Sequence, residues 1–324
     1  MKSKLFAALA AAFLAMAVTS ACSGGDGGEV QTLPEAQYLN AGELLHLTET
    51  LSSDALQGRA IGTPGNEAAR GFLRKRFETL ELTKIGNSYE HPFSVIPPDD
   101  APEGSPTAGT NLIGIIEGKT PGQGRMIAIT AHFDHLGVID GEIYNGADDN
   151  ASGAAALIAV ATWFTHHTPE HDILFALLDG EEEGFLGARA LVRSGEVDMS
   201  RIALDLNFDM VSRSDVNELY VSGTYHTPQL AALVDEVAAR APIQLVKGHD
   251  RPEEGPDDWT MQSDHAAFHE AGIPFLYFGV EDHEDYHKPT DDFERIPEVF
   301  FVNAADTLVM AAIATDQSLD EILP

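Results

Sequence analysis

Cysteine is what this 324-residue sequence most lacks: Cys22 is the only one. No internal disulfide can form, so stability must come from a buried core, for which 44% apolar residues are sufficient. Basic side chains are also scarce, 19 against 52 acidic ones, giving a formal net charge of −33. That excludes nucleic acid as a partner, because phosphate contacts need Lys and Arg, and it excludes a polybasic grip on a membrane surface. The acidity reads as solubility in a salty or external medium. Internal repeats and a second compositional domain are absent, so the length fits one large α/β domain. A long apolar run of membrane-spanning length is missing near the N-terminus: Leu5 to Val18 is too short.

That short run follows Lys2 and Lys4 and precedes Thr19-Ser20-Ala21-Cys22, the layout of an export signal. It resembles bacterial lipoprotein signals, which carry an acylated cysteine where Cys22 stands. The expected organisation is a signal peptide over residues 1–21, a flexible tether over 22–34 and a single domain over 35–324. The implied location is the bacterial cell envelope (outer membrane, periplasm or cell surface, partly released). Contact with the membrane is then only through a lipid anchor at Cys22.

Downstream, apolar spacing predicts helices over Ala41 to Leu51, Asn66 to Leu82, Ala154 to Phe164, Phe185 to Val192, Gln229 to Arg240 and Pro297 to Ala314. Strands are predicted over Asn111 to Glu117, Met126 to Thr130, Asp172 to Leu178, Ile202 to Met210, Glu218 to Ser222 and Ile273 to Gly279. Thr120 to Gly124 reads as a hairpin connection, and Pro97 to Pro106 and Pro242 to Gln262 as loops. Strands alternating with helices imply a doubly wound, largely parallel sheet covered on both faces.

Chemistry-bearing residues gather at the predicted strand ends. His132-Phe133-Asp134-His135 closes one strand, and Asp148-Asp149 precedes a helix that Ser152 is placed to cap. Glu181-Glu182-Glu183 closes a strand, Asp209 another, and Tyr286-His287 follows the last. Such an edge is where open α/β sheets place their chemistry. His132 and Asp134 are ligand types that zinc prefers, although Asp134 could instead hold the imidazole through its second nitrogen. Each block alone has an ordinary alternative: a turn and cap for Asp148-Asp149, a solvated helix start for the glutamates, a surface histidine for His287. Together they suit a pair of divalent metals sharing one carboxylate, with a further carboxylate free to take a proton from a metal-held water. The run Asp282 to Asp285 reads as a solvated loop, and His166, His167 and His171 as surface residues away from that edge.

The blocks Ala131 to His135, Gly146 to Gly153, Glu181 to Ala188, Leu206 to Met210, Ser263 to His265 and Tyr286-His287, in this order and spacing, resemble the M28 family of zinc aminopeptidases. The resemblance runs from about Tyr38 to the C-terminal helix. It implies a three-layer α/β/α sandwich around a mixed, mostly parallel sheet of about eight strands, holding two zinc ions (Zn2+) per chain. It further implies that His132 and Asp209 bind one zinc, that Glu182 and His287 bind the other, and that Asp148 bridges them. Glu181 is then the general base, Asp134 orients His132, Tyr286 donates to the developing oxyanion, and Glu183 is solvated. A cis peptide bond is implied between Asp148 and Asp149.

Ala188 departs from the serine common at its position, and no inserted protease-associated domain fits between Tyr89 and Asn111. The implied substrates are peptides with a free amino terminus. Glu181, Glu182 and Asp209 suit an α-ammonium, whereas Arg213, Arg251 and Lys288, the only bases near the motifs, form no cluster to grip a terminal carboxylate. The alternatives are a glutaminyl cyclase of the same fold with one zinc, or a non-catalytic binding relative that has lost ligands. All five implied ligand positions are filled here, which favours hydrolysis.

Overall fold

The strand carrying His132 runs through the middle of a nine-stranded sheet, in a computed structural model that describes residues 33–95, 106 and 108–323. The export signal, Cys22 and nearly all of the tether lie outside the described residues, as does the loop from Pro97 to Ser105. From Leu33 onward the chain forms one compact unit. In chain order the helices are α1 (Ala41–Leu51), α2 (Pro64–Thr79), α3 (Gly153–His166), α4 (Leu186–Ser194), α5 (Ala231–Ala238), α6 (His265–Glu270) and α7 (Glu298–Ile322). The strands are β1 (Thr83–Lys84), β2 (Glu90–Ser94), β3 (Ala108–Ile116), β4 (Met126–His132), β5 (Gly137–Ile139), β6 (Glu142–Tyr144), β7 (Asp172–Leu178), β8 (Ile202–Phe208), β9 (Glu218–Ser222), β10 (Gln244–Lys247) and β11 (Phe275–Gly279).

The main sheet has the order β1-β3-β7-β4-β8-β11-β9-β10, with β2 also paired to β3, while β5 and β6 form a separate hairpin. Its centre, β7-β4-β8-β11, is parallel, and antiparallel pairs join β3 to β7 and β9 to β11. The central strands are buried along their whole length, yet their side chains still alternate between two cores. Ile127, Ile129, Phe175 and Leu206 pack with α1, α2, α3, α5 and α7; Met126, Ala128, Leu174 and Ala176 pack with α4 and α6. These are the two outer layers of the α/β/α sandwich.

Three expectations change. Thr120 to Gly124 is not a hairpin turn, because β7 inserts between β3 and β4 and pairs with both. The stretch from Pro242 to Gln262 is not all loop: Gln244–Lys247 pairs in parallel with β9. The last helix runs on to Ile322, since Thr315, Asp316 and Leu319 are still buried beyond Ala314. Long and apolar enough to cross a membrane, α7 is instead a core helix, 72% of its apolar window being buried. Its buried acids have local work: Asp306 accepts the N–H groups of Gln37 and Tyr38, and Asp316 those of Glu170 and His171.

Candidate metal centre

Parallel strands present their C-terminal ends on one side, and there the sheet brings the site together. His132 ends β4, Glu181 and Glu182 follow β7, Asp209 follows β8, and Tyr286 and His287 lie in the loop after β11. Asp149 arrives from the segment leading into α3. Donor atoms fall into two groups, each within 4.8 Å: His132, Glu181 and Asp209 in one, and His135, Asp149 and Glu182 in the other.

Asp149 spans the two groups. Its Oδ1 is 3.4 Å from His132 Nε2, and its Oδ2 is 3.1 Å from His287 Nε2. On the first side Asp209 Oδ1 lies 3.1 Å from His132 Nε2; on the second, Glu182 Oε2 lies 3.3 Å from His287 Nε2. Two ligands of one tetrahedral zinc, bonded at about 2.0–2.1 Å, stand roughly 3.3 Å apart. The spacing and the imidazole–carboxylate chemistry therefore fit a metal ion on each side.

Asp148 does not share this space, contrary to the expectation that it bridges. Its Oδ1 accepts from the backbone N–H and hydroxyl of Ser212, both at 2.7 Å, and its Oδ2 lies 3.2 Å from His283 Nε2. The physical reason is local: the helical geometry breaks at Asp149 (φ −101, ψ 98) and Asn150 (φ −128, ψ 47), and Ser212 and His283 hold the Asp148 carboxylate apart from the site. The cis peptide bond likewise falls one residue later than expected, between Asp149 and Asn150. The run Asp282 to Asp285 is also not simply solvated, because His283 holds Asp148 and buried Asp285 pairs with Arg213.

Other expected residues sit as follows. Asp134 Oδ1 is 3.7 Å from His132 Nδ1, too far for a hydrogen bond, and accepts the Glu181 N–H at 3.1 Å; the Asp134 carbonyl is nearer the imidazole, at 3.3 Å. Tyr286 stacks on His287 and lines the site cavity. Glu183 is exposed, as are His166 and His167, while His171 pairs with Asp316. Arg213 is tied to Asp285, Lys288 donates to the Glu284 carbonyl, and Arg251 is exposed beside Glu253.

Two participants had no reading in the sequence. His135, one residue beyond the His-x-Asp motif, is buried with Nδ1 2.6 Å from Glu182 Oε1. Arg59 is wholly buried in a tight turn and, among the described residues, has no carboxylate partner. Its guanidinium donates to the carbonyls of Phe133 (2.8 Å), Leu51 (2.6 Å), Asn145 (2.5 Å) and Gly146 (3.0 Å), tying the loop after His132 to the segment before Asp149. A His at the fourth place of the motif was a visible signal; a lone arginine after a glycine was none.

Burial and crowded charge set the site's proton balance. Burial pushes Glu181 well above the usual carboxylate range. Burial acts the same way on Glu182, but hydrogen bonds to His135 and His287 outweigh it and hold that carboxyl well below. Burial pulls His287 down, but Asp149 and Glu182 win and raise it to about 10.

Beside the two groups opens a cavity of about 260 Å³, walled by Met210, Trp259, Tyr277 and Val280 and floored by Asp149, Glu181, Glu182 and Asp209. Among the described residues no Lys or Arg lines it.

Known proteins resemble this chain in sequence or in fold. The chain is 29% identical over 290 residues to aminopeptidase YwaD of Bacillus subtilis, covering 85% of this chain and 55% of that protein. It is 27% identical over 182 residues to the alkaline phosphatase isozyme conversion protein of Escherichia coli, covering 53% and 51%. It thus spans about half the length of these relatives. Among solved structures, a zinc aminopeptidase from Bacillus subtilis superposes with a TM-score of 0.68 at 17% identity, covering 86% of this chain and 95% of that one. A Porphyromonas gingivalis glutaminyl cyclase does so with 0.68 at 17%, covering 88% and 99%. The sequence profile of peptidase family M28 matches residues 111–312, the stretch that holds every residue of the two groups, and the chain belongs to that family.

Proposed function

We propose that the protein is an aminopeptidase that works with two zinc ions, held by His132 and Asp209 on one side and by Glu182 and His287 on the other. The observation that carries this reading is Asp149, which turns one carboxylate oxygen to each side. Zinc held by these residues would supply a water of lowered pKa and polarise the scissile carbonyl. Glu181, which shares the donor group of His132 and Asp209 while Glu182 is the glutamate paired with His287, takes the proton from that water. Tyr286, beside His287 at the cavity, donates to the oxygen that becomes negative. The acidic floor receives the substrate's α-ammonium, and the wall of Met210, Trp259, Tyr277 and Val280 receives its first side chain. Since Arg213 and Lys288 are engaged elsewhere and Arg251 is turned to solvent, nothing in the cavity matches a terminal carboxylate.

The resemblance to a glutaminyl cyclase fold gives a second reading, in which a single metal serves acyl transfer. A complete His132–Asp209 side, 3.1 Å between donor atoms, favours the first. In the cell the enzyme is read as an envelope lipoprotein anchored at Cys22, with two zinc ions and peptide substrates. The deciding experiment loads purified protein with zinc, counts the metal, and compares Leu-p-nitroanilide and a free tripeptide with their N-acetylated forms. Two ions per chain and cleavage of the free forms only are expected. A firm plateau at one ion, or equal cleavage of the blocked substrates, rejects the reading.

A further inference from the structure

We propose that His135 is a positioning residue: it holds Glu182 so that this carboxylate offers a metal one oxygen, not two. The inference rests on the reading that Glu182 and His287 hold a metal ion. His135 is a third imidazole at the site and could be taken for a further ligand. Distance argues otherwise. Ligands sharing one tetrahedral zinc lie roughly 3.3 Å apart, and His287 keeps that spacing, at 3.3 Å from Glu182 and 3.1 Å from Asp149. His135 Nδ1 stands only 2.6 Å from Glu182, the length of a strong hydrogen bond.

The two imidazoles also take different oxygens. His287 faces Oε2, the metal side, while His135 holds Oε1. The nearest oxygen of Asp149 is 3.7 Å from His135 Nδ1, too far to compete for its proton. Among the described residues the buried Nε2 of His135 has no partner. A neutral ring with its proton on Nδ1 leaves only a lone pair there and avoids an orphaned N–H. The ring is fixed in place as well: a Cβ on Gly146 would meet its Cγ and Cδ2 at 2.5 Å, so that glycine leaves room for it. With Oε1 engaged by His135, Glu182 would present only Oε2 on the His287 side.

Two substitutions separate the hydrogen bond from its alternatives. Asn carries an N–H at the same bond distance from Cβ as Nδ1 but loses the ring; Phe keeps the ring and loses the N–H. Zinc affinity of the full chain, measured by competition with a chromophoric chelator, should fall ~10–100-fold in His135→Phe, the usual effect of losing a partner that orients a ligand. It should stay within a few-fold of wild type in His135→Asn. Melting of the metal-free variants reports folding separately. If Phe binds like wild type and Asn does not, the ring serves packing and the proposal falls. Equal losses would make the nitrogen a ligand, and equal retention would leave it no role; either overturns the proposal. The wild-type count keeps the two readings apart. A single ion per chain would reject the two-metal centre while still letting the ion at Glu182 rank the variants, and an ion unaffected by both variants would reject this proposal too.

Discussion

Glu181 and Glu182 are neighbours in sequence and opposites in environment. Glu182 is engaged on both oxygens, by His135 and His287, and is held well below the usual carboxylate range once those bonds outweigh burial. Glu181 is pushed up, chiefly by burial and with Asp209 adding to it, and its backbone N–H is fixed by Asp134. A carboxyl raised in this way is suited to hold a proton between steps. Glu181→Gln should therefore leave zinc content unchanged and lower turnover ~100-fold or more, the typical contribution of a general base. Zinc lost together with activity would show that the two glutamates have exchanged roles. At this scale the sequence is read to within one residue. The pair Asp148-Asp149 announces a carboxylate here, but which one faces the site depends on a local break in helical geometry that apolar periodicity does not encode.

Strand ends were legible because β4, β7, β8 and β11 are short apolar runs, each closed by a charged or polar motif. Their order in the sheet was not, because pairing partners are chosen across the fold, and so β7 separates two strands that looked like a hairpin. Arg59 escaped for a related reason: three of its four acceptors are main-chain carbonyls 74 to 87 residues away, which leave no side-chain pattern to find. At the far end of β7, Asp172 ties the incoming loop down. Its carboxylate accepts from Gly118 and Gly122, both at 2.9 Å, and pairs with Arg201 at 2.7 Å. Burial raises its pKa, but Arg201 and the two N–H groups outweigh burial and leave it lowered. A folded value below the unfolded one, about 3.9, means stabilisation that is full above that pH and is lost as pH falls through the folded value. Asp172→Asn should lower stability near neutrality by about 1–3 kcal/mol, and the gap to wild type should close below about pH 4. Denaturant titrations at several pH values test this; a gap that persists undiminished into strong acid would rule the linkage out.

At the scale of the whole molecule, the proposed ligands come from chain segments as distant as His132 and His287, and only the folded chain unites them. Ions that bind this state and not the unfolded one stabilise it by mass action, about 4 kcal/mol at a free concentration a thousandfold above Kd. Stripping the metal with a chelator should thus lower the melting temperature by several degrees and zinc should restore it; an unchanged melting temperature would mean that the ligands are not gathered by folding. Arg59 decides what remains after stripping. Even with burial lowering its pKa to about 10, the guanidinium is charged at neutral pH, and it holds Phe133 on one loop and Asn145 and Gly146 on the other through bonds that involve no ligand side chain. The mould therefore stands before anything is cast in it. An ion of the proposed pair would then leave, and a fresh one enter, by diffusion into a cavity whose walls are already set, so exchange would not wait on refolding.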